Sequence, residues 1–166
     1  MKELFQGRRF GFAPRPALAY IAVGIGIALT LSDLMAWFKW GANDTTGFVV
    51  VADWLAHAVT VVLGLAALAA LAEYLDIPAD DRGVARLDLI AALVAFLLYG
   101  ASVFLRAFDV GGAAASPAPF LLAVAGLVLT LVDAVVAANL YGAREWEELE
   151  EEPVRERRPR RRAVSR

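Results

Sequence analysis

Four long apolar segments, separated by short polar connections, dominate the hydropathy pattern of this chain. The segments are 17–38, 48–71, 87–105 and 120–141. A helix needs roughly 20 apolar residues to cross the hydrocarbon core of a bilayer. None of the segments shows the alternation of apolar and polar positions, bounded by turns, that is typical of membrane strands. The pattern therefore predicts an all-α fold, an integral membrane four-helix bundle.

The connections between these segments contain turn-forming residues. The first connection is 39–47, the second is 72–86 with Pro78 and Gly83, and the third is 106–119, rich in Gly, Ala and Pro. Connections this short leave little extramembrane chain for a substrate pocket. The sequence also has no HExxH motif, phosphate-binding loop or nucleophile elbow. We therefore expect that the protein is not an enzyme.

The composition supports a membrane protein and limits its chemistry. Of the 166 residues, 60% are hydrophobic, whereas soluble domains are usually about 45–50% apolar. The sequence has no cysteine, which excludes disulfides, thiolate nucleophiles and cysteine-ligated metal sites. His57 is its one histidine, so a single chain cannot supply the two imidazoles of a bis-histidine haem site. No cofactor is predicted.

The distribution of Lys and Arg predicts the orientation in the membrane. Of the 16 basic residues, 14 fall in the lead 1–16, the second connection and the tail 142–166, and 2 fall in the other two connections. Basic residues are enriched on the cytoplasmic side of membrane proteins. We therefore expect a multi-pass protein of the cytoplasmic membrane with both termini in the cytoplasm, built from a basic lead (1–16), a membrane domain (17–141) and a charged tail (142–166).

The tail changes from an acidic block to an arginine-rich one. Like-charge blocks of this kind are typical of disordered, solvated segments. An alternative is that the arginines contact anionic lipid headgroups or a partner protein, because clustered arginines next to a membrane span are attracted to such groups. No nucleic-acid partner is expected, since no folded basic domain accompanies the tail. The candidate contact residues are Arg155, Arg157, Arg158, Arg160, Arg161 and Arg162.

Ionisable residues inside the apolar segments are the candidate chemistry. Asp53 and His57 are four residues apart and so share one helix face, and Asp33 is predicted at a similar depth. One hypothesis is a proton- or cation-handling site formed by these three residues, since histidine titrates near neutral pH and intramembrane charges are expensive unless paired. The alternatives are that Asp53 and His57 only satisfy one another, that the two carboxylates lie at the wet interface, or that the two carboxylates and the imidazole hold a divalent metal.

Two further carboxylates lie towards the predicted cytoplasmic side. Asp133 is well inside the fourth segment, where an isolated carboxylate would be protonated or paired, and it completes the candidate proton or cation site. Asp88 lies near the start of the third segment. We expect it to form interfacial salt bridges with Arg82 and Arg86.

Small residues at four-residue spacing predict where helices approach one another closely, within the chain or between chains. The candidate packing positions are Gly24, Ala28, Ala134, Ala138 and Gly142. Together with the short connections, they favour a small accessory or scaffolding protein that associates with other membrane subunits or with itself. The alternative is a proton- or cation-coupled transporter or channel subunit that uses the intramembrane Asp and His residues.

Several soft motifs between Pro16 and Tyr141 resemble those of a widespread, uncharacterised bacterial family of predicted four-helix membrane proteins. The first predicted helix begins at Pro16 and has Ser32-Asp33-Leu34 near its end. The third ends at Leu105-Arg106, and the fourth ends at Asn139-Leu140-Tyr141-Gly142. The chain departs from the family pattern in having Arg15 where a histidine would stand, no histidine in the third segment, and Ala137-Ala138 in place of two glycines. The resemblance implies the four-helix fold and brings no activity.

Overall fold

The structure, a computed structural model, consists of four long helices. It describes residues 14–40, 44–77, 82–108, 114 and 116–151, with side chains as far as Asn139. The helices are α1 (Pro14–Phe38), α2 (Thr46–Asp76), α3 (Arg82–Arg106) and α4 (Pro117–Glu151). Each is long and apolar enough to cross a membrane. The predicted all-α four-helix fold is therefore confirmed over the residues described.

The helices form a ring in which each packs on the next. α1 contacts α2, α2 contacts α3, α3 contacts α4, and α4 contacts α1. α1 and α3 consequently lie diagonally opposite across the interior. Because consecutive helices alternate in direction, the beginnings of α1 and α3 lie at one end of the bundle, which we call the Arg15 end. Their last turns lie at the other, the Arg106 end.

The helices extend beyond the apolar segments that predict them. α2 continues from position 71 to Asp76, and α3 begins at Arg82 rather than at 87. α4 continues ten residues past 141, to Glu151, through a segment rich in glutamate, which is a good helix former. An apolar segment ends where the first charged residues appear. The helix continues past that point, because charged residues such as glutamate have good helix propensity. The arginine cluster from 155 to 162 and the lead up to Ala13 lie outside the described residues.

The buried positions of each helix follow a seven-residue repeat, with steps of four and three. In α1 they are Arg15, Ala19, Ala22, Gly26, Leu29, Asp33 and Ala36, with Ser32 buried beside this stripe, and in α3 they are Ala85, Asp88, Ala92, Ala95, Tyr99, Ser102 and Arg106. This average spacing of 3.5 residues is that of helices packed in a left-handed supercoil. Most of these side chains are small, so the helix backbones approach closely.

Tyr99 is the one large aromatic side chain fully buried in the described interior. It lies between Gly26 of α1 and Gly126 of α4. A β-carbon at Gly26 would lie 2.5 Å from the Tyr99 hydroxyl oxygen, and one at Gly126 would lie 2.8 and 2.9 Å from its ring carbons Cε2 and Cδ2. Both glycines are therefore required by the close approach of this ring.

Substituting either glycine should destabilise the bundle. A second substitution, Tyr99→Phe, should show which part of the Tyr99 side chain causes the loss at each glycine. We expect Gly26→Ala and Gly126→Ala each to lower the free energy of unfolding by about 1–3 kcal/mol, the usual effect of overpacking. Adding Tyr99→Phe should restore much of the loss at Gly26, where the closest atom is the hydroxyl oxygen, and little at Gly126, where ring carbons remain. Unfolding in detergent micelles measures the two single variants and the two combinations with Tyr99→Phe.

Gly24 provides the matched control, because a β-carbon there would meet nothing within 4 Å. Gly24→Ala should be neutral or slightly stabilising, as alanine favours a helix over glycine. Equal losses at Gly24 and Gly26 would show that the Tyr99 contact does not set the requirement for glycine.

Candidate functional site

A buried ionic cluster joins three helices at the Arg15 end. Arg15, the second residue of α1, donates from Nε to Oδ2 of Asp88 at 3.1 Å and from Nη2 to Oδ1 of the same carboxylate at 2.9 Å. Nη2 also donates to Oδ1 of Asp133 in α4. All three side chains are almost completely buried. The Arg15 cluster, comprising Arg15, Asp88 and Asp133, thus sets one guanidinium against two carboxyl groups.

Two polar atoms of the Arg15 cluster make no hydrogen bond with the part of the chain that the structure describes. They are Nη1 of Arg15 and Oδ2 of Asp133, and both are fully buried. Buried polar atoms are usually hydrogen-bonded, so an orphaned one needs a physical explanation. Glu73, in the last turn of α2, is also buried near this end.

A second ionic cluster closes the Arg106 end. Arg106 donates from Nη1 to Oδ1 of Asp33 at 3.0 Å and from Nη2 to Oδ2, so both carboxylate oxygens are engaged. Its Nε approaches Oγ of Ser102 at 3.4 Å, and the Ser102 hydroxyl donates to the carbonyl oxygen of Pro119 at 2.7 Å. The Arg106 cluster, comprising Arg106, Asp33 and Ser102, pairs one cation with one anion.

The two clusters mirror one another across the α1–α3 diagonal, with the charges exchanged. α1 supplies the arginine at the Arg15 end and the aspartate at the Arg106 end, whereas α3 supplies them the other way round. Each cross-helix pair, Arg15–Asp88 and Asp33–Arg106, is separated by 73 positions. Along each helix the two charges are five helical turns apart, about 27 Å. This distance is close to the hydrocarbon thickness of a bilayer, roughly 30 Å.

The predicted convergence of Asp33, Asp53 and His57 does not form. Asp33 is buried and bound to Arg106, whereas the side chains of Asp53 and His57 are 46% and 51% exposed on the outside of α2. His57 contacts Asp53 through its Nδ1, which lies 2.8 Å from the Asp53 carbonyl oxygen and 3.8 Å from Oδ2. Ala52 occupies the interior stripe of α2, and residue 53 is rotated about 100° away from it.

The fourth candidate, Asp133, lies in the buried Arg15 cluster, at the opposite end of the bundle from Asp33. Asp88, the other carboxyl group bound to Arg15, does not pair with Arg82 or Arg86 as expected. Arg82 donates from Nε to the carbonyl oxygen of Ile77 at 2.8 Å, and Arg86 is exposed. The expected interfacial salt bridges of Asp88 are therefore replaced by a buried contact with Arg15, because Asp88 falls on the interior stripe of α3.

The small residues also divide between the interior and the surface. Ala134 is buried and Ala138 is half-buried. Gly24 is exposed and Ala28 is half-buried, so the interior small stripe of α1 runs instead through Gly26. Gly142 belongs to α4, but its surroundings lie outside the described side chains.

Arg15 and Arg106 are the functional-site residues that the sequence analysis missed. Both are basic residues at the edges of apolar segments, where hydropathy assigns them to the lead and to the third connection. The signal that would have found them is their spacing. Arg15 and Asp33 are 18 residues apart, as are Asp88 and Arg106, which places each oppositely charged pair on one helix face.

No group of three His, Cys, Asp or Glu side chains able to hold a metal occurs among the residues described. The resemblance to a four-helix family stays a prediction: no family model matches the chain, and searches of the curated proteins and of the solved structures find no match to it.

Proposed function

We propose that this protein is a small multi-pass accessory or scaffolding protein of the cytoplasmic membrane, with both termini in the cytoplasm, that associates with other membrane subunits or with a second copy. One observation carries the proposal: the ionisable side chains at the α1–α3 diagonal bind one another. Asp33 uses both carboxylate oxygens on Arg106, and Asp88 uses both on Arg15. Ion pairs of this kind, formed between side chains of α1 and α3, hold the two helices together.

The interior between the clusters supports the same proposal. It is filled by small side chains and by the Tyr99 ring, which leaves no room for even a β-carbon at Gly26 or Gly126. A bundle packed to this density at mid-depth is suited to a rigid structural role. Its contribution to a larger assembly then comes from its outer surface.

The outer face of α2 is the surface we propose for this association. Trp54 is 72% exposed, and the half-exposed Asp53 and His57 lie beside it. This group places a carboxylate and an imidazole within the largely apolar segment 48–71 of α2. Polar groups within membrane segments are expensive unless a partner or water satisfies them. A neighbouring helix with hydrogen-bonding side chains at this depth would satisfy them.

Crosslinking in native membranes tests the association. A photoreactive amino acid at position 54 should give one stoichiometric adduct, whose mass identifies another subunit or a second copy. The matched control is position 121 on α4, because Leu121 is 61% exposed on the helix diagonally opposite α2. Adding Asp53→Ala with His57→Ala should reduce the adduct at position 54 several-fold, since these side chains offer the polar contacts.

The proposal fails if neither position gives an adduct and the detergent-extracted protein has the mass of a single chain. In that case the transporter alternative would gain support, and it makes a distinct prediction. Purified protein in liposomes would then move protons or cations, and Asp133→Asn would abolish the flux at normal protein abundance.

A further inference from the structure

The geometry of the Arg15 cluster points to a binding site for a single proton. We propose that Asp133 binds that proton at neutral pH, while Asp88 and Arg15 form the ionised pair. This inference does not rest on the scaffolding proposal. It follows from three observations: the balance of charges, the unequal contacts of the two carboxyl groups, and the buried oxygen that has no donor.

The charge balance comes first. Two ionised carboxylates beside one guanidinium would leave a net negative charge, buried among helices that cross a membrane. Burying an unpaired charge is far more costly than burying a neutral polar group, and a carboxyl group avoids this by taking up a proton. Like-charged carboxylates sharing one site also resist ionising together. One bound proton makes the cluster neutral.

The contacts then show which carboxyl group holds the proton. Asp88 accepts two hydrogen bonds from Arg15, one on each oxygen, at 3.1 and 2.9 Å. This forked arrangement is the preferred geometry of an ionised carboxylate with arginine. Asp133 accepts from Arg15 on Oδ1 alone, and its Oδ2 has no partner among the described residues. Asp133 is therefore the group with an oxygen free to hold a proton.

The groups facing Asp133 offer no second positive charge in the part of the chain that the structure describes. α1 contributes Arg15 and α3 contributes Asp88. α2 lies diagonally opposite α4, and its last turn carries the buried Glu73, which has an interaction of its own. Thr130, one turn before Asp133, donates its hydroxyl to the carbonyl oxygen of Gly126 at 2.7 Å. Neither that hydroxyl nor any other described donor stabilises a negative charge on Oδ2.

The ligand is a proton rather than a metal ion. Hard cations such as calcium and magnesium are held by several oxygen ligands. In this cluster the oxygens of Asp88 already bind a guanidinium, whose positive charge repels a second cation. The Arg106 cluster provides an internal comparison. Its single carboxylate is matched by a single arginine through both oxygens, so no proton is required there.

Infrared spectroscopy of the full chain in lipid nanodiscs tests the proposal directly. With aspartate labelled with ¹³C at its side-chain carboxyl, the wild-type protein at neutral pH should show the C=O stretch of a protonated carboxylic acid. Asp133→Asn should remove this band. The control, Asp53→Asn, should keep it, because Asp53 lies outside both clusters and is half-exposed on the outside of α2.

Thermal unfolding of Asp133→Asn and Asp88→Asn gives a second readout. A carboxamide closely mimics a protonated carboxyl group, so Asp133→Asn should unfold within a few degrees of wild type at neutral pH. Asp88→Asn should unfold at a much lower temperature, since it removes the ionised partner of Arg15. The proposal is overturned if wild type shows no protonated-acid band, if the band survives Asp133→Asn, or if Asp133→Asn unfolds the protein while Asp88→Asn is tolerated.

Discussion

Replacing Arg15 with methionine should destabilise the bundle by about 3–5 kcal/mol, the effect of leaving a buried charge without its partner. Methionine retains much of the arginine stem but donates no hydrogen bond to Asp88 or Asp133. The guanidinium is fully buried and is the positive charge to which α3 and α4 both bind at this end. Chemical unfolding in mixed micelles, followed by tryptophan fluorescence, measures the loss.

The control for this substitution is Arg86→Met. Arg86 lies two residues before Asp88 on the same helix, but it is exposed, and surface substitutions usually change stability by less than about 0.5 kcal/mol. Adding Asp88→Leu to Arg15→Met should recover part of the loss, because replacing both members of a buried ion pair by apolar groups can be nearly neutral. If Arg15→Met and Arg86→Met were equally mild, the Arg15 cluster would not hold the helices together.

At the opposite end, Asp33→Ala and Arg106→Ala should each lower the free energy of unfolding by about 3–5 kcal/mol, for the same electrostatic reason. Combining them should cost much less than the sum of the two, since the double variant leaves no unpaired charge. A double-mutant cycle measures this coupling. The exchanged pair Asp33→Arg with Arg106→Asp should recover part of the stability if mutual attraction, rather than side-chain shape, joins α1 to α3.

Asp53→Asn is the control at this end, because Asp53 is a half-exposed aspartate of the neighbouring helix. It should change the unfolding free energy by less than about 0.5 kcal/mol. Strictly additive losses for Asp33→Ala and Arg106→Ala would contradict the coupling, and would show that the close contact between their side chains contributes little to folding.

The membrane helices were predictable from the sequence, whereas the direction each residue faces was not. Four segments of about 20 apolar residues have few alternatives to a helical bundle. Within such a segment almost every position is apolar, so hydropathy does not distinguish the interior stripe from the lipid-facing one. Gly24 and Gly26 illustrate this. Both are small and two positions apart, yet one faces outward and the other contacts Tyr99.

The candidate site was partly predictable for a similar reason. The four-residue spacing placed Asp53 and His57 on one face of α2, and the structure has them there. The spacing could not show that this face points outward, because its direction depends on which alanines of α2 contact the other helices. Arg15 and Arg106 were missed because counting basic residues for topology treats each one as part of a connection, without testing its helical phase against the aspartates.

The exchanged order of charges on α1 and α3 has a consequence for how the chain is inserted into the membrane. If the third helix entered the bilayer in the reverse direction, Arg106 would lie beside Arg15 and Asp88 beside Asp33, so like charges would meet at both ends. A slip of one helical turn between the two helices would separate both pairs at once. We therefore expect the same four residues to disfavour an inverted or misregistered third helix during biogenesis.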